Sequence, residues 1–156
     1  MSKQNDDAIL QQLKRIADAL ERKLPPLPNR ADLVQAEAYV WHSDIRKLVP
    51  VYSVNRLALK LLCGIDEQRE LLMANTTAFA NKLPANNALL WGARGTGKSS
   101  LVKSVHGAIF ASGPDCGLVE IHREDIADLP LLMGFLATID RQFIVFSDDL
   151  AFEQGE

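Results

Sequence analysis

The sequence predicts an α/β fold, preceded by a helical N-terminal region, and two observations lead to this prediction. In the second half of the chain, short apolar runs alternate with segments of helical periodicity, which is typical of parallel strands joined by right-handed helical crossovers. The last run, residues 143–146, is apolar at every position, as expected for a strand that is covered on both faces. The predicted elements of this half are strands at 88–91, 118–122 and 143–147 and helices at 98–111 and 130–138.

The first half predicts helices. An amphipathic helix is expected over residues 5–24, because Ile9, Leu13, Ile16 and Leu20 recur at helical spacing. Asn5, Asp6 and Asp7 are its cap candidates, and docking onto its own domain is favoured over partner binding. The segment 24–30 predicts a stiff linker, followed by helices near 32–41 and 55–62. A further helix is expected from its N-cap Asp66 to a point before Pro84. Tyr39 and Trp41 are interpreted as core residues. The predicted organisation is 1–24, 25–58 and 59–156.

Composition limits the class of protein. The 156 residues suffice for one ordinary domain, and a net charge of -3 gives no electrostatic footprint for nucleic acid. Cys63 and Cys116 form no metal-spaced pair, so idle or buried thiols in a reducing compartment are expected. The polar N-terminus lacks the apolar region of a signal peptide, and no apolar run is long enough to cross a membrane. The prediction is a cytoplasmic protein without a membrane partner.

One glycine-rich stretch matches a phosphate-binding pattern. Residues 92–99 read GARGTGKS, which fits G-x-x-x-x-G-K-[ST], the P-loop or Walker A pattern, between a predicted strand and a predicted helix. Its three glycines permit positive φ angles, so that successive amide groups can turn towards a phosphate. Lys98 is the candidate catalytic cation that reaches the β and γ oxygens, and the Ser99 hydroxyl is a candidate Mg²⁺ ligand. An unrelated glycine-rich turn capping a helix is the alternative. The predicted phosphate-contacting residues are Gly92, Ala93, Arg94, Gly95, Thr96, Gly97, Lys98, Ser99 and Ser100.

Two acidic residues follow the last predicted strand. Open parallel sheets bind ligands at the carboxyl ends of their strands, so Asp148 and Asp149 are expected at the same rim as the P-loop. Asp148 is predicted to hold Mg²⁺ through its waters, as a Walker B residue does, and Asp149 is the candidate base that polarises an attacking water. A strand-ending Asp-Asp turn is the alternative. That alternative stays open for Asp149, because Asp is one methylene shorter than the Glu usual there.

Three stretches of the sequence resemble those of a known protein family. The stretches NNALLWGARGTGKSSLVK, HREDIADLP and FIVFSDDLAFEQGE are similar to a bacterial family of AAA+ ATPases known as domain of unknown function 815, over roughly residues 59–156. The resemblance implies an ATP-binding core with Mg²⁺, in which residues 92–99 form the phosphate loop and Asp148 is the magnesium-associated acid. It also implies that Gly64 and Ile65 lie near the adenine, and that full-length members assemble as homo-oligomers. The cellular role of the family is unassigned.

The resemblance also sets an expectation about completeness. Proteins of this type continue after the acidic pair with a sensor strand, an arginine finger and a helical lid, so the chain is expected to be an N-terminal portion or a truncated form. The sensor strand would lie between the two Walker strands, and without it a gap is expected in the sheet. ATP hydrolysis by this chain alone is therefore expected near background. A nucleotide-dependent protein-interaction module that uses the N-terminal helices is the alternative function, and a small-molecule kinase is a weaker third.

Overall fold

The computed structural model describes residues 2–21, 35–93 and 95–148. The helices are α1 (Ser2–Glu21), α2 (Asp66–Ala80), α3 (Lys98–Ala111) and α4 (Leu129–Leu136). The strands are β1 (Ala38–His42), β2 (Lys47–Val51), β3 (Cys116–Ile121) and β4 (Gln142–Phe146). The chain is thus a mixed α/β protein, as predicted. The predicted linker at 24–30 lies outside the described residues.

The four strands form one sheet in the order β2-β1-β3-β4. β1 pairs parallel with β3, which pairs parallel with β4, whereas β2 runs antiparallel to β1. Leu118 in the middle of β3 lies opposite Ala38 on one side and Ile144 on the other. The parallel pairs require crossovers, and α3 and α4 are the helices of the two connections on either side of β3.

The prediction of a helix near 32–41 is wrong, because residues 38–42 are the strand β1. Residues 32–34 lie outside the described residues. Tyr39 and Trp41 are 1% and 0% exposed. Aromatic residues of this kind are enriched in strands, although the residues before them favour a helix. A second predicted helix, at 55–62, is reduced to a short 3-10 turn at Leu59–Leu61. The N-terminal region therefore adds a β-hairpin to the sheet.

The predicted strand at 88–91 is also absent. These residues have no strand pairing, and none of them makes a backbone hydrogen bond to another backbone group in the described part of the chain. Leu90 packs on the cluster beneath α3, whereas Leu89 and Trp91 are 65% and 88% exposed. A strand exists only where a neighbouring strand accepts its ladder of hydrogen bonds. Among the described residues nothing pairs with the outer side of β4, so the sheet ends there.

The sheet is covered on both faces. α4 packs on one face, and α2 and α3 pack on the other. Buried residues of the first face are Tyr39, Trp41, Leu48, Val119, Ile121, Leu132 and Leu136. Buried residues of the second are Leu62, Ala80, Leu101, Val105, Ile109 and Cys116. Phe143 and Val145 of β4 contact the first cluster and Ile144 the second, which is the alternation expected of a two-sided strand.

The remaining boundaries lie close to the predictions. α3 has the predicted bounds, and β3, α4 and β4 start and end within two residues of theirs. Ile65, and not Asp66, is the N-cap of α2. α1 begins at Ser2, so the predicted cap residues Asn5 to Asp7 lie inside the helix.

The described side chains of α1 do not dock onto the domain as predicted. Each described side chain from residue 9 to residue 18 is exposed. Ile9, Leu13 and Ile16 are 53%, 60% and 56% exposed, so this apolar stripe has no covering from the described residues. In the described part of the chain, no helix combines the length and the apolar character that crossing a bilayer demands.

Gly117 in β3 lets the ring of Phe143 approach the backbone closely, so a substitution at Gly117 is expected to lower stability. A Cβ built there would lie 2.7 Å from Cδ1 and 2.8 Å from Cε1 of Phe143, a partly buried residue that packs against the core. Gly117→Ala is expected to lower the free energy of unfolding by about 1–3 kcal/mol, as overpacking does. Gly134→Ala is the control, because a Cβ at Gly134 meets no atom within 4 Å. Urea unfolding of both variants measures the difference, and equal stability of the two would contradict the steric argument.

Candidate phosphate site

The glycine-rich loop has the backbone that its sequence predicts. Gly92, Gly95 and Gly97 have φ angles of +144°, +82° and +85°, a region that residues with a side chain rarely adopt. Gly97 is the N-cap of α3 and is left-handed. Its carbonyl accepts the N–H of Leu101 at 2.8 Å, which closes the first turn of the helix. The loop therefore leads directly into a helix N-terminus, where unpaired N–H groups favour an anion.

The loop holds the lysine over its own backbone. Lys98 is the first residue of α3, and its Nζ donates to the carbonyl oxygens of Gly92 and Ala93 at 3.1 and 2.9 Å. The Thr96 hydroxyl donates to the same Ala93 carbonyl at 2.9 Å. The ammonium is thus turned back onto the loop and lies beside the backbone that would surround a phosphate. The sequence predicts Thr96 only as one of the phosphate-contacting loop residues, and in the structure its hydroxyl also helps to close the loop.

The loop is open to solvent. The described residues Gly92, Ala93, Gly95 and Thr96 are exposed, and the residues from Gly97 to Ser100 are half-buried. No N–H group among residues 93 and 95–97 donates to another described backbone carbonyl. Arg94 lies outside the described residues. The described part of the loop consequently presents N–H groups that a ligand can reach.

Contacts along α3 place the loop relative to the sheet. His106, in the middle of α3, contacts the carbonyl of Cys116 at the start of β3. One turn nearer the helix N-terminus, Lys103 pairs with Glu120 near the end of β3 at 3.0 Å. The Lys103 ammonium also lies 5.4 Å from the ring centroid of Phe146, the last residue of β4. α3 therefore runs antiparallel to β3 and β4, with its N-terminus directed towards their carboxyl ends.

The candidate acid lies at the same edge. Asp148 follows β4 by two residues and is exposed, so it stands at the carboxyl edge of the sheet towards which the loop is directed. Asp149, the candidate base, lies outside the described residues. Within the described ranges no group of three or more His, Cys, Asp or Glu side chains could hold a metal ion. Mg²⁺ commonly takes only one or two carboxylates beside waters and phosphate oxygens, and Ser99 and Asp148 are the residues that could supply such ligands.

The segment implied to contact adenine lies beside α3. Gly64 has a φ of +76°, and Ile65 is the N-cap of α2, where its carbonyl accepts the N–H of Arg69 at 2.9 Å. Ile65 packs with Leu62 on the α3 cluster. A Cβ built on Gly97 would lie 3.9 Å from Leu62, so this segment approaches the start of α3.

A cavity elsewhere has a charge that does not suit phosphate. It measures roughly 330 Å³ and lies between the β1–β2 turn and the 3-10 helix Arg123–Asp128. Its lining residues are Ser43, Asp44, Arg46, Glu124, Asp125, Ala127 and Asp128. With one arginine against four carboxylates, it repels an anion.

Both thiols are free, and they differ in environment. Cys63 is exposed, whereas Cys116 is buried at the start of β3. Burial raises the pKa of Cys116 to about 11, from an ordinary value of 9.0. Cys116 therefore stays a thiol at neutral pH and acts as an apolar core residue.

A polar cluster behind α3 was missed by sequence reasoning. It consists of His106, which is 1% exposed, together with Glu37 and Arg56, which form an ion pair of 2.5 Å. These residues are far apart in sequence, so no local pattern connects them. Gly107, a lone glycine inside a helical pattern, was the available signal, because such a glycine usually has a packing reason.

Comparison with known proteins places the chain in a family. The family model described as "Protein of unknown function (DUF815)" matches residues 34–156, which is most of the chain. Neither the curated proteins nor the solved structures gave a match.

Proposed function

The chain belongs to the DUF815 family of proteins of unknown function, and on that premise we propose that residues 92–99 bind the phosphates of ATP together with Mg²⁺. One observation carries the proposal: three glycines with positive φ lead into the N-terminus of α3, and the first residue of that helix is a lysine whose ammonium lies on the loop. An ordinary turn before a helix needs no such glycine, because the N-cap residue typically has extended backbone. Three glycines followed by a lysine suit a loop that surrounds an anion.

Each residue would contribute a specific interaction. The loop amides and the positive end of the α3 dipole would attract the phosphate oxygens. Lys98 would exchange the carbonyls of Gly92 and Ala93 for phosphate oxygens, which replaces two neutral acceptors by charged ones. Ser99 and Asp148 would hold Mg²⁺, which would neutralise phosphate charge. In the finer form of the proposal the protein is an AAA+ type ATPase, with Asp149 orienting the water.

A nucleotide-dependent interaction module is the second candidate. The exposed stripe of Ile9, Leu13 and Ile16 on α1 favours it, because apolar side chains in a row on one helix face form a binding surface. Deleting residues 1–24 separates the two functions. Only the interaction module loses its partner on that deletion, while nucleotide binding persists in both.

The binding test is a titration of the intact chain with a fluorescent ATP analogue in the presence of Mg²⁺. Lys98→Ala is expected to weaken binding about 10- to 100-fold, because charge-assisted hydrogen bonds contribute about 1.5–3 kcal/mol. Lys82→Ala is the matched control. Lys82 is an exposed lysine whose pairing with Asp140, at 3.6 Å, leaves both side chains largely in solvent.

The outcomes distinguish a site from surface attraction. Equal weakening by both lysine substitutions would show attraction of the nucleotide to surface charge and would contradict the proposal, as would undiminished binding by Lys98→Ala. Trp91 offers an independent readout, since it is 88% exposed and directly precedes Gly92. In a Trp41→Phe background it is the sole tryptophan, so its fluorescence reports on the loop alone.

A further inference from the structure

The inference starts from the buried imidazole on α3. His106 is 1% exposed, and its Nε2 lies 2.8 Å from the carbonyl oxygen of Cys116. A carbonyl oxygen only accepts hydrogen bonds, so Nε2 carries the hydrogen. In the neutral ring Nδ1 then has a lone pair and no hydrogen, and it makes no hydrogen bond within the described part of the chain.

A carboxylate faces this lone pair. Oε1 of Glu37 lies 3.7 Å from Nδ1 of His106, and the same oxygen lies 2.5 Å from Nη2 of Arg56. While His106 is neutral, Nδ1 and Oε1 are two acceptors with no proton between them. Of the two neighbours, only Arg56 then attracts the carboxylate, through the ion pair. A single oxygen atom thus stands between two nitrogen groups that can compete for it.

Arg56 lies across α3. A Cβ built on Gly107 would stand 1.8 Å from Nη1 of Arg56, so the guanidinium occupies the space that the glycine leaves open. One turn away, the Ser104 hydroxyl donates to the carbonyl of Leu57 at 2.6 Å. Residues 56–57 therefore form a strap on α3, and Glu37 holds its charged end.

We propose that Oε1 of Glu37 is the shared acceptor of a two-position switch, held by Arg56 while His106 is neutral and taken by His106 when Nδ1 gains a proton. The proton comes from solvent, and no covalent bond other than the new N–H forms or breaks. Once Nδ1–H donates to Glu37, the imidazolium charge offsets the carboxylate charge and repels the Arg56 guanidinium, which weakens the Arg56–Glu37 ion pair so that the guanidinium leaves Gly107. Acidification thereby releases the strap from α3. The proposed switch does not depend on which ligand the phosphate loop binds.

The charges around His106 set the direction. Burial is the largest influence and lowers its pKa; the Cys116 carbonyl and Glu37 raise it, and the guanidinium groups of Arg56 and Arg141 lower it. On its own helix Phe110 stacks on the ring and carries no charge. The result is a pKa below the ordinary 6.5. Stability from the neutral imidazole is thus complete above about pH 6.5 and is lost as the pH falls through the lower folded-state value.

The experiment is hydrogen exchange of the whole chain, followed by NMR from pH 7.5 down to the pH at which the ¹⁵N shifts of the His106 ring show that it is protonated, and expressed as protection factors. The reporters of the strap are the amides of Leu61 and Leu62, which donate to the carbonyls of Ala58 and Leu59 directly after it at 2.8 and 3.1 Å. At low pH these amides are expected to lose at least about tenfold in protection while those of β3 keep theirs, since the release is a local opening. His106→Gln keeps a donor for Cys116 but takes up no proton, so its strap is expected to keep its protection. His122→Gln replaces an exposed histidine and is expected to behave as the unmodified protein.

Three results would overturn the proposal: an unmodified strap that stays protected at low pH, the same loss in His106→Gln, or a loss that extends equally through β3. If His106→Gln does not fold, a measurement on the unmodified protein still tests the proposal. Its imidazole ¹⁵N shifts at pH 7.5 must show hydrogen on Nε2 only, and the opposite tautomer excludes the switch. Gly107→Ala adds a further test, because its methyl group displaces Arg56, so the strap is expected to be unprotected at every pH.

Discussion

Arg141→Ala is expected to lower the free energy of unfolding by about 3 kcal/mol, because this side chain joins three segments at one end of the sheet. Its Nη1 donates to the carbonyl of Ala36 and to the hydroxyl of Tyr39, both at 2.9 Å. Its Nε lies 2.8 Å from Oδ1 of Asp115. The guanidinium also lies 5.4 Å from the ring centroid of Phe143. Removing it takes a donor from the carbonyl of Ala36 and one of the donors from the hydroxyl of Tyr39, which keeps the N–H of Ala36 at 2.9 Å, and it exposes one aromatic face.

Chemical denaturation of purified variants measures this effect. Arg69→Ala is the control, since Arg69 also pairs with an aspartate, Asp66, at 2.6 Å, but on the surface of one helix. Surface pairs of this kind contribute about 0–1 kcal/mol. If the two alanine variants lost the same stability, the buried contacts of Arg141 would have no special weight, and the three-segment argument would fail.

Trp41→Ala is expected to destabilise the protein by about 3–5 kcal/mol, the range for truncating a large aromatic residue in a core. Trp41 is fully buried in the centre of β1 and belongs to the cluster beneath α4. Its Nε1 finds no hydrogen-bond partner among the described residues. Trp41→Phe removes that polar group and keeps most of the ring, so a smaller loss, about 1–2 kcal/mol, is expected.

Thermal unfolding followed by far-ultraviolet circular dichroism ranks these variants without relying on tryptophan emission. Trp91→Ala supplies the comparison, because the 88% exposed side chain of Trp91 contributes little packing and its loss is expected to change stability by less than about 0.5 kcal/mol. A loss for Trp91→Ala as large as that for Trp41→Ala would be inconsistent with the core described above.

The parts of the fold that the sequence predicts well are those with local causes. α3 starts at the predicted Lys98 because the glycines before it determine the loop and because apolar residues repeat on one face of the helix. β4 could be predicted because it is apolar at successive positions, and the structure shows the reason: helices cover both of its faces. For the candidate site, positive φ at the loop glycines is confirmed, whereas the ligands remain proposals.

The parts that failed depend on distant partners. Residues 38–42 follow Gln35, Ala36 and Glu37, which favour a helix, and they form a strand because β3, far along the chain, pairs with them. Residues 88–91 have a strand sequence, but no ladder partner lies among the described residues. The His106 cluster was missed for the same reason, since Glu37 and Arg56 reach α3 only through the tertiary fold.

The two margins of the sheet differ in what they allow another molecule to do. β2 carries the exposed Lys47, and its Pro50 lacks an N–H group, two features that discourage intermolecular strand addition. β4 reads QFIVF, with no charge and no proline. If the protein is concentrated or partly unfolded, strand addition by another molecule is therefore expected at the β4 margin, which pairs with no described strand, in preference to the β2 margin. A single lysine on β4 would act as a gatekeeper for solubility.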